Sequence, residues 1–194
     1  MQIIFKNRLT LVFVGCSLAR TSTKQDNRMN IFVTDTDPVV CAAHHCDRHE
    51  AKMILESAQM LCAVWHRYGE TFPGIYKETH KNHPCTRWAG DNTANYYWLV
   101  DLYQALNSQR VNRGKANHKS YTTLYPHVLS APAAMPWSPI NTEFAQAMPD
   151  KYKNESAVVA YRRYLLAKRD EWRTRGLDFT YNDRQTPDWL KEGQ

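Results

Sequence analysis

The feature that most constrains the fold is a stretch, residues 47–65, in which apolar side chains recur with the spacing of an α-helix. Asp47 and Glu50 stand three residues apart, as in a capping box, and Tyr68 with Gly69 closes the pattern. The apolar residues cover most of the circumference of this predicted helix. Because such a helix must be buried on most sides, we expect it to be the central helix of its domain.

Further helices and long loops are predicted along the rest of the chain. The helices are expected at 39–45, 88–106, 142–148 and 155–172, and a short strand at 30–34. The loops are expected at 73–87, where Pro84 would break any helix, at 107–119, which is basic, and at 120–141, which is rich in proline. The predicted fold is therefore mainly α: a single compact helical domain with one short N-terminal strand and long Pro-rich loops.

The first 28 residues are expected to lie outside this domain. Lys6 and Arg8 precede a short apolar run that contains Cys16, which is similar to a bacterial export signal. The alternative is an upstream start codon, since residues 20–28 are polar and Met29 opens the strand-like segment. We favour Met29 as the working start, and we divide the chain into an extension, 1–28, and a domain, 29–194.

Composition limits the choice of partner and compartment. The chain of 194 residues has a formal charge of +6, of which residues 1–28 supply +4. The charge of the domain itself is thus weak evidence for a polyanionic partner. The five cysteines include no CxxC pair, which favours a reducing compartment, and no apolar run approaches the roughly 18–20 residues of a membrane span. We expect a cytoplasmic protein without membrane contact or an obligate protein partner.

The central helix carries a narrow polar stripe. On a helical wheel it comprises His49, Lys52, Glu56, Gln59 and His66. A buried lysine and a buried glutamate must be paired, and the i, i+4 spacing of Lys52 and Glu56 allows this. The stripe is interpreted either as a structural ion pair with hydrogen-bonded histidines or as the lining of a reactive cleft.

Two other clusters suggest competing chemistry. A zinc site would draw on Cys41, His44, His45, Cys46, Asp47 and His49, with His80 and His83 further on, but the spacing matches no zinc template. A Cys–His nucleophile would use Cys46 or Cys85. Against both stands the ordinary burial of histidine and cysteine, and we predict neither a metal nor a cofactor.

A basic loop offers a nucleic-acid surface. It contains Arg113, Lys115, His118 and Lys119 and is followed by Tyr121 and Tyr125. Cationic and aromatic side chains together suit phosphate contact and base stacking. The same residues are equally typical of a solvated surface.

Short motifs resemble those of a group of small tailed-bacteriophage proteins. The motifs are Cys46-Asp47-Arg48-His49, followed by Lys52, Glu56 and Gln59, then Asn82-His83-Pro84, then Asn95-Tyr96-Tyr97-Trp98-Leu99. The resemblance runs from Met29 to about Trp189. It implies a phage origin and a domain that begins at Met29.

About 60 residues of the chain also resemble pyrimidine-dimer DNA glycosylases of the endonuclease V type. In that family a helix carries a histidine and, seven residues later, the catalytic glutamate, which His49 and Glu56 match here. The family attacks the sugar with the amine of an N-terminal threonine, whereas here Gln2 follows Met1 and Asn30 follows Met29. Lys52, one turn before Glu56, is the expected substitute, since a lysine desolvated beside a carboxylate can supply a neutral amine.

Together these patterns predict an enzyme that excises or modifies a DNA base. The expected catalytic residues are Glu56 as general acid/base and Lys52 as nucleophile or phosphate clamp, oriented by His49, His66 and His83. The expected DNA contacts are Asn82, Arg87, Trp88, Asn95, Tyr96, Arg113, Lys115, His118 and Lys119. The alternative is a non-catalytic module that binds nucleic acid or a host protein and in which the polar stripe is structural.

Overall fold

The computed structural model describes residues 29–191, which are mainly helical and include no β-strand. The helices are α1 (Pro38–Ala43), α2 (Asp47–Arg67), α3 (Pro84–Ala89), α4 (Thr93–Asn112), α5 (Lys119–Val128), a 3-10 turn (Asp150–Tyr152), α6 (Ala157–Thr174) and α7 (Asp188–Lys191). The mainly α class is confirmed. The predicted extension, residues 1–28, lies outside the described residues.

Helix α2 is the centre of the fold, as its apolar circumference predicts. It packs against α3, α4 and α5, and Met53, Met60 and Leu61 are fully buried. Its C-terminal end follows the predicted pattern, because Tyr68 is the cap residue and Gly69 adopts a left-handed conformation with φ 72°. Helix α4 completes the core with its own buried leucines and also covers α1.

The predicted helix at 88–106 is in fact two helices. Pro84 starts α3 rather than breaking it, because proline at the first helical position lacks only an N–H that would have no partner there. Gly90 ends α3, and the side chain of Asn92 then caps α4 by accepting the N–H of Asn95. Helix α4 continues to Asn112, so half of the predicted basic loop at 107–119 is helical.

Three other predictions differ from the structure. Residues 119–128 form α5 although Pro126 lies inside it, since Leu124 and Val128 are buried against the core. Residues 142–148 are irregular instead of helical. The segment at 30–34 is buried but unpaired, and Phe32 has a φ of 41°, which is incompatible with an extended strand.

Side-chain hydrogen bonds hold this N-terminal segment in place. The side-chain oxygen of Asn30, Oδ1, accepts hydrogen bonds from the backbone N–H groups of Ile31 and Phe32. The side-chain nitrogen of Asn30, Nδ2, donates to the Ala147 carbonyl at 2.8 Å. Helix α6 packs on the segment, with Arg162 Nε donating to the Thr34 carbonyl at 2.9 Å. The segment therefore lies between α6 and α2, where its backbone reaches the polar stripe.

Among residues 29–191, no helix combines the length and the apolarity that crossing a membrane requires.

Candidate functional site

The centre of the polar stripe is the carboxylate of Glu56, which is buried. Its Oε1 accepts a hydrogen bond from Lys52 Nζ at 3.0 Å, and its Oε2 accepts the backbone N–H of Asn30 at 3.0 Å. Burial raises the pKa of Glu56 above its usual value, although the ammonium of Lys52 and the N–H of Asn30 act in the opposite direction. A carboxyl group with a raised pKa is suited to accept and return a proton near neutral pH.

Lys52 is the accessible member of this pair. Its side chain is 47% exposed, so it is not the desolvated lysine that the sequence suggested. The amine can meet a ligand from solvent while it remains in contact with Glu56. The arrangement is a buried carboxylate with a reachable amine directly in front of it.

His49 lies two helical turns before Glu56, inside an aromatic enclosure. Its ring stacks on Phe32 with centroids 5.1 Å apart, and Trp172 and Phe179 meet it edge-on at 5.2 Å each. Burial lowers the pKa of His49 to about 3, so the imidazole is neutral at physiological pH. A neutral imidazole in an apolar enclosure packs against its neighbours and can donate or accept a hydrogen bond, but it cannot act as a cation.

The structure brings two further residues, His80 and Lys168, near the polar stripe, and neither is among the catalytic residues that the sequence predicts. His80 lies close enough to Glu56 for its charge to lower the carboxyl pKa, and Lys168 of α6 similarly lowers the pKa of His49. Lys168 also lies over the ring of Tyr164 at 5.3 Å. His80 adopts a left-handed conformation with φ 53°. Sequence spacing could not place either residue, because both come from segments distant in sequence from α2.

The other two predicted catalytic histidines have identifiable structural contacts. His66 lies ten residues beyond Glu56, which is about 15 Å along the helix axis. Its Nε2 donates to the Tyr76 carbonyl at 2.9 Å. His83 is the N-cap of α3, where its Nδ1 accepts the N–H of Cys85 at 3.3 Å. The structure therefore joins Glu56 with Lys52, leaves His49 two helical turns away in its aromatic enclosure, and gives His66 and His83 contacts elsewhere.

A cleft opens on the same face further along α2. This first cleft has a volume of about 550 Å³ and is lined by Ala63, Val64, His66, Arg67, Glu78, Lys81, Asn82, Thr86 and Arg87. A second cleft of about 380 Å³ shares Asn82 and Arg87 with it. Neither Lys52 nor Glu56 lines the first cleft, but its Thr86 hydroxyl donates to Met29 Sδ at 3.6 Å, and Met29 precedes Asn30, whose N–H binds Glu56. Of the predicted DNA contacts, Asn82 and Arg87 thus line both clefts, and Trp88 lines the second.

Three other predicted DNA contacts belong to the core. Asn95 is fully buried: its amide donates to the Trp88 carbonyl and to Thr142 Oγ1, both at 2.8 Å. Tyr96 is fully buried as well and donates to the Val128 carbonyl at 2.9 Å. The Trp88 ring packs among other aromatic rings and is nearly inaccessible. Asn95 and Tyr96 therefore have no face on which a DNA base could stack, and Trp88, although it lines the second cleft, is only 4% exposed.

Arg113 is part of a buried charge network, which we define as Asp47, Glu50, Arg110, Arg113, Lys115 and Arg184. Its guanidinium bonds both Asp47 and Glu50 and is 10% exposed. The predicted capping box is therefore wrong: Cys46 is the N-cap and makes no side-chain cap, while the two acidic residues pair with arginines. The network connects the start of α2 to the end of α4 and to the C-terminal segment.

The remaining residues of the predicted basic loop are more accessible. Lys115 is 46% exposed, with its Nζ 4.0 Å from Glu50 Oε1. His118 caps α5 by accepting the N–H of Ser120 at 3.2 Å, and Lys119 is exposed in the first turn of that helix. Lys115 and Lys119 are available to an anionic partner, whereas His118 has a local structural role.

The competing cysteine and metal chemistries are not favoured by the geometry. Burial raises the pKa of the Cys85 thiol to about 12 and also raises the pKa of Cys46, so neither thiol is an accessible thiolate. His45 Nδ1 donates to the Cys41 carbonyl at 2.8 Å, and Cys41 Sγ donates to the Phe32 carbonyl at 3.3 Å. Within residues 29–191, no three histidine, cysteine or acidic side chains are grouped so as to hold a metal ion.

No family model, no curated protein and no solved structure matches this chain. The Lys52–Glu56 pair offers a half-exposed amine beside a buried carboxylate, and the first cleft offers an open volume lined by charged side chains.

Proposed function

We propose that this protein is a DNA-acting enzyme that excises or modifies a base, with Lys52 as nucleophile and Glu56 as general acid/base. The observation that carries the proposal is the accessible amine of Lys52, 3.0 Å from a buried carboxylate whose pKa is raised by burial. DNA is the proposed partner, and the resemblance to pyrimidine-dimer glycosylases implies the same class of substrate. The proposed setting is the cytoplasm of a phage-infected cell.

The chemistry requires a neutral amine. Glu56 would accept a proton from the Lys52 ammonium, and the amine lone pair would then form a bond to the sugar C1′. The bond between C1′ and the base nitrogen breaks, and the base leaves with that electron pair and takes up a proton. The Lys52 nitrogen then gives a proton back to Glu56, its lone pair forms the C1′=N bond as the C1′–O4′ bond breaks, and O4′ takes up the proton. The product is a Schiff base between Lys52 and C1′, which borohydride reduces to a stable adduct.

The test is borohydride trapping with the full chain and end-labelled duplex DNA that contains uracil, an abasic site or ultraviolet damage. We expect a covalent protein–DNA adduct that is lost in Lys52→Ala and in Lys52→Arg. Lys153→Ala is the matched control and should leave the adduct unchanged, since Lys153 is 44% exposed and is likewise paired with a carboxylate, that of Asp150. Glu56→Gln should fold, because an amide oxygen can still accept the N–H of Asn30, and it should slow adduct formation by about 10²-fold or more.

Two results would contradict the proposal. An adduct that persists in Lys52→Ala would place the nucleophile at another amine. The absence of adduct, base release and strand cleavage on every substrate would reject the lyase mechanism. If the wild type then binds DNA without acting on it, the polar stripe is structural and the protein is a binding module. The exposed position of Lys52, which is typical of a surface ion pair, is the observation that favours this second candidate.

A further inference from the structure

Of the three basic side chains that line the first cleft, two are paired with acidic side chains and one is not. Arg67 donates to Asp91 Oδ1 at 3.1 Å, and Lys81 Nζ lies 3.3 Å from Glu78 Oε2. The side chain of Arg87 is exposed and, in the part of the chain that the structure describes, makes no hydrogen bond or ion pair. Arg87 is therefore the cation in this cleft that is free to bind a ligand.

The wall that carries Arg87 is firmly attached to α2. Arg67 Nη1 donates to the Arg87 carbonyl at 3.0 Å, and the Tyr68 hydroxyl donates to the Gly90 carbonyl at 2.7 Å. Gly90 leaves room for the Arg67 guanidinium to reach the Arg87 carbonyl, since a Cβ at position 90 would lie 2.9 Å from Arg67 Nη1. The Arg87 backbone is thus fixed next to the Arg67 guanidinium, and only its side chain has to be ordered when a ligand binds.

We propose that the first cleft binds a phosphate group of the DNA on which the proposed enzyme acts, with Arg87 as the direct contact. Arg67 and Lys81 are each paired with an acidic residue, so Arg87 gives the cleft its uncompensated positive charge, and an anion is favoured there. Guanidinium groups bind phosphate with paired N–H donors. The volume of about 550 Å³ is ample for a phosphate together with its sugar.

The position of the cleft fits a phosphate near the reacting nucleotide. Ala63, in the cleft, lies seven residues beyond Glu56, which is about 10 Å along the axis of α2. Measured along the axis of duplex DNA, at about 3.4 Å per base pair, about 10 Å corresponds to three base pairs. The identification of the ligand as DNA rests on the proposed function, whereas a free nucleotide would supply the same phosphate chemistry.

The experiment measures binding rather than turnover. Full-length wild type, Arg87→Ala, Arg87→Lys and the control Arg163→Ala, an exposed arginine of α6, are titrated into fluorescein-labelled duplex DNA at several salt concentrations. Arg87→Ala should weaken binding by about 5- to 30-fold and reduce the slope of log Kd against log salt by about one. Arg87→Lys should lose less DNA affinity than Arg87→Ala, because it keeps the positive charge. Arg163→Ala should change the Kd by less than about twofold.

Equal affinity of Arg87→Ala and wild type for DNA would overturn the proposal, as would an equal loss in Arg163→Ala. A second titration with thymidine monophosphate identifies the source of the phosphate: binding of the mononucleotide through Arg87, without binding of duplex DNA, would overturn the assignment to DNA. Circular dichroism of each variant verifies that the fold is retained.

These results are distinguishable from those of the trapping experiment. If no adduct forms but Arg87→Ala still weakens DNA binding, the proposed chemistry fails and the phosphate cleft stands. If the adduct forms and Arg87→Ala binds DNA like the wild type, the chemistry stands and the cleft proposal fails.

Discussion

Removal of Arg113 should test whether the charge network is part of the structure or a surface for DNA. The guanidinium bonds Asp47 and Glu50, and the Glu50 side chain is only 2% exposed. Arg113→Ala would leave these buried carboxylates without their shared partner. Breaking one side of a buried ion pair costs about 3–5 kcal/mol of the free energy of unfolding.

The lower end of this range applies here because the carboxylates retain other cations. Arg184 Nη2 lies 2.9 Å from Asp47 Oδ1, and Arg110 Nη1 lies 3.8 Å from Glu50 Oε1. We therefore expect Arg113→Ala to lower the free energy of unfolding by about 3 kcal/mol. With a urea dependence of about 2 kcal/mol per molar, the midpoint of unfolding would fall by about 1.5 M.

The assay is urea unfolding followed by circular dichroism at neutral pH, with Lys115→Ala as control. Lys115 is exposed and 4.0 Å from Glu50, so its loss should cost less than about 0.5 kcal/mol. A loss below about 1 kcal/mol for Arg113→Ala would refute the reasoning about burial. If the same variant bound DNA much more weakly while its stability was unchanged, Arg113 would be the DNA contact that the sequence predicted.

Two further substitutions test the interpretation of the buried polar groups. In the folded protein His49 has a pKa of about 3, whereas in the unfolded chain a histidine has a pKa of about 6.5. Between these values only the unfolded state binds the proton, so the free energy of unfolding falls by about 1.4 kcal/mol for each pH unit below about 6.5. In His49→Phe the loss of stability between pH 7.5 and 5 should be smaller by about 2 kcal/mol in urea titrations, and an unchanged loss would contradict the burial of a neutral imidazole. Tyr96→Phe removes both the hydrogen bond to Val128 and the acceptor for Trp65 Nε1, which should cost about 2–3 kcal/mol in thermal or urea unfolding without altering DNA affinity. Weaker DNA binding with unchanged stability would instead restore the stacking role of Tyr96.

The regular parts of this fold could be predicted because their signals are local. The central helix was expected from its apolar spacing, and the structure places it at Asp47–Arg67. Helix α6 was expected at 155–172 and lies at Ala157–Thr174. In contrast, local propensity predicts a loop around Pro126 and a strand around Phe32, whereas the structure has a helix at the first and an unpaired segment at the second. Tertiary packing overrides local propensity at both positions.

Within the candidate site, the sequence by itself determined only what one helix can determine. The i, i+4 spacing predicts the contact of Lys52 with Glu56, since residues four apart are neighbours on any α-helix. The charge of Arg113 and the aromatic ring of Tyr96 are equally visible in the sequence, but whether they face solvent depends on contacts between distant segments. Tertiary structure alone placed Arg113 between two buried carboxylates, put the backbone of Asn30 against Glu56, and left the Arg87 side chain exposed beside a cleft, because burial and pairing of a polar group are set by its neighbours in space.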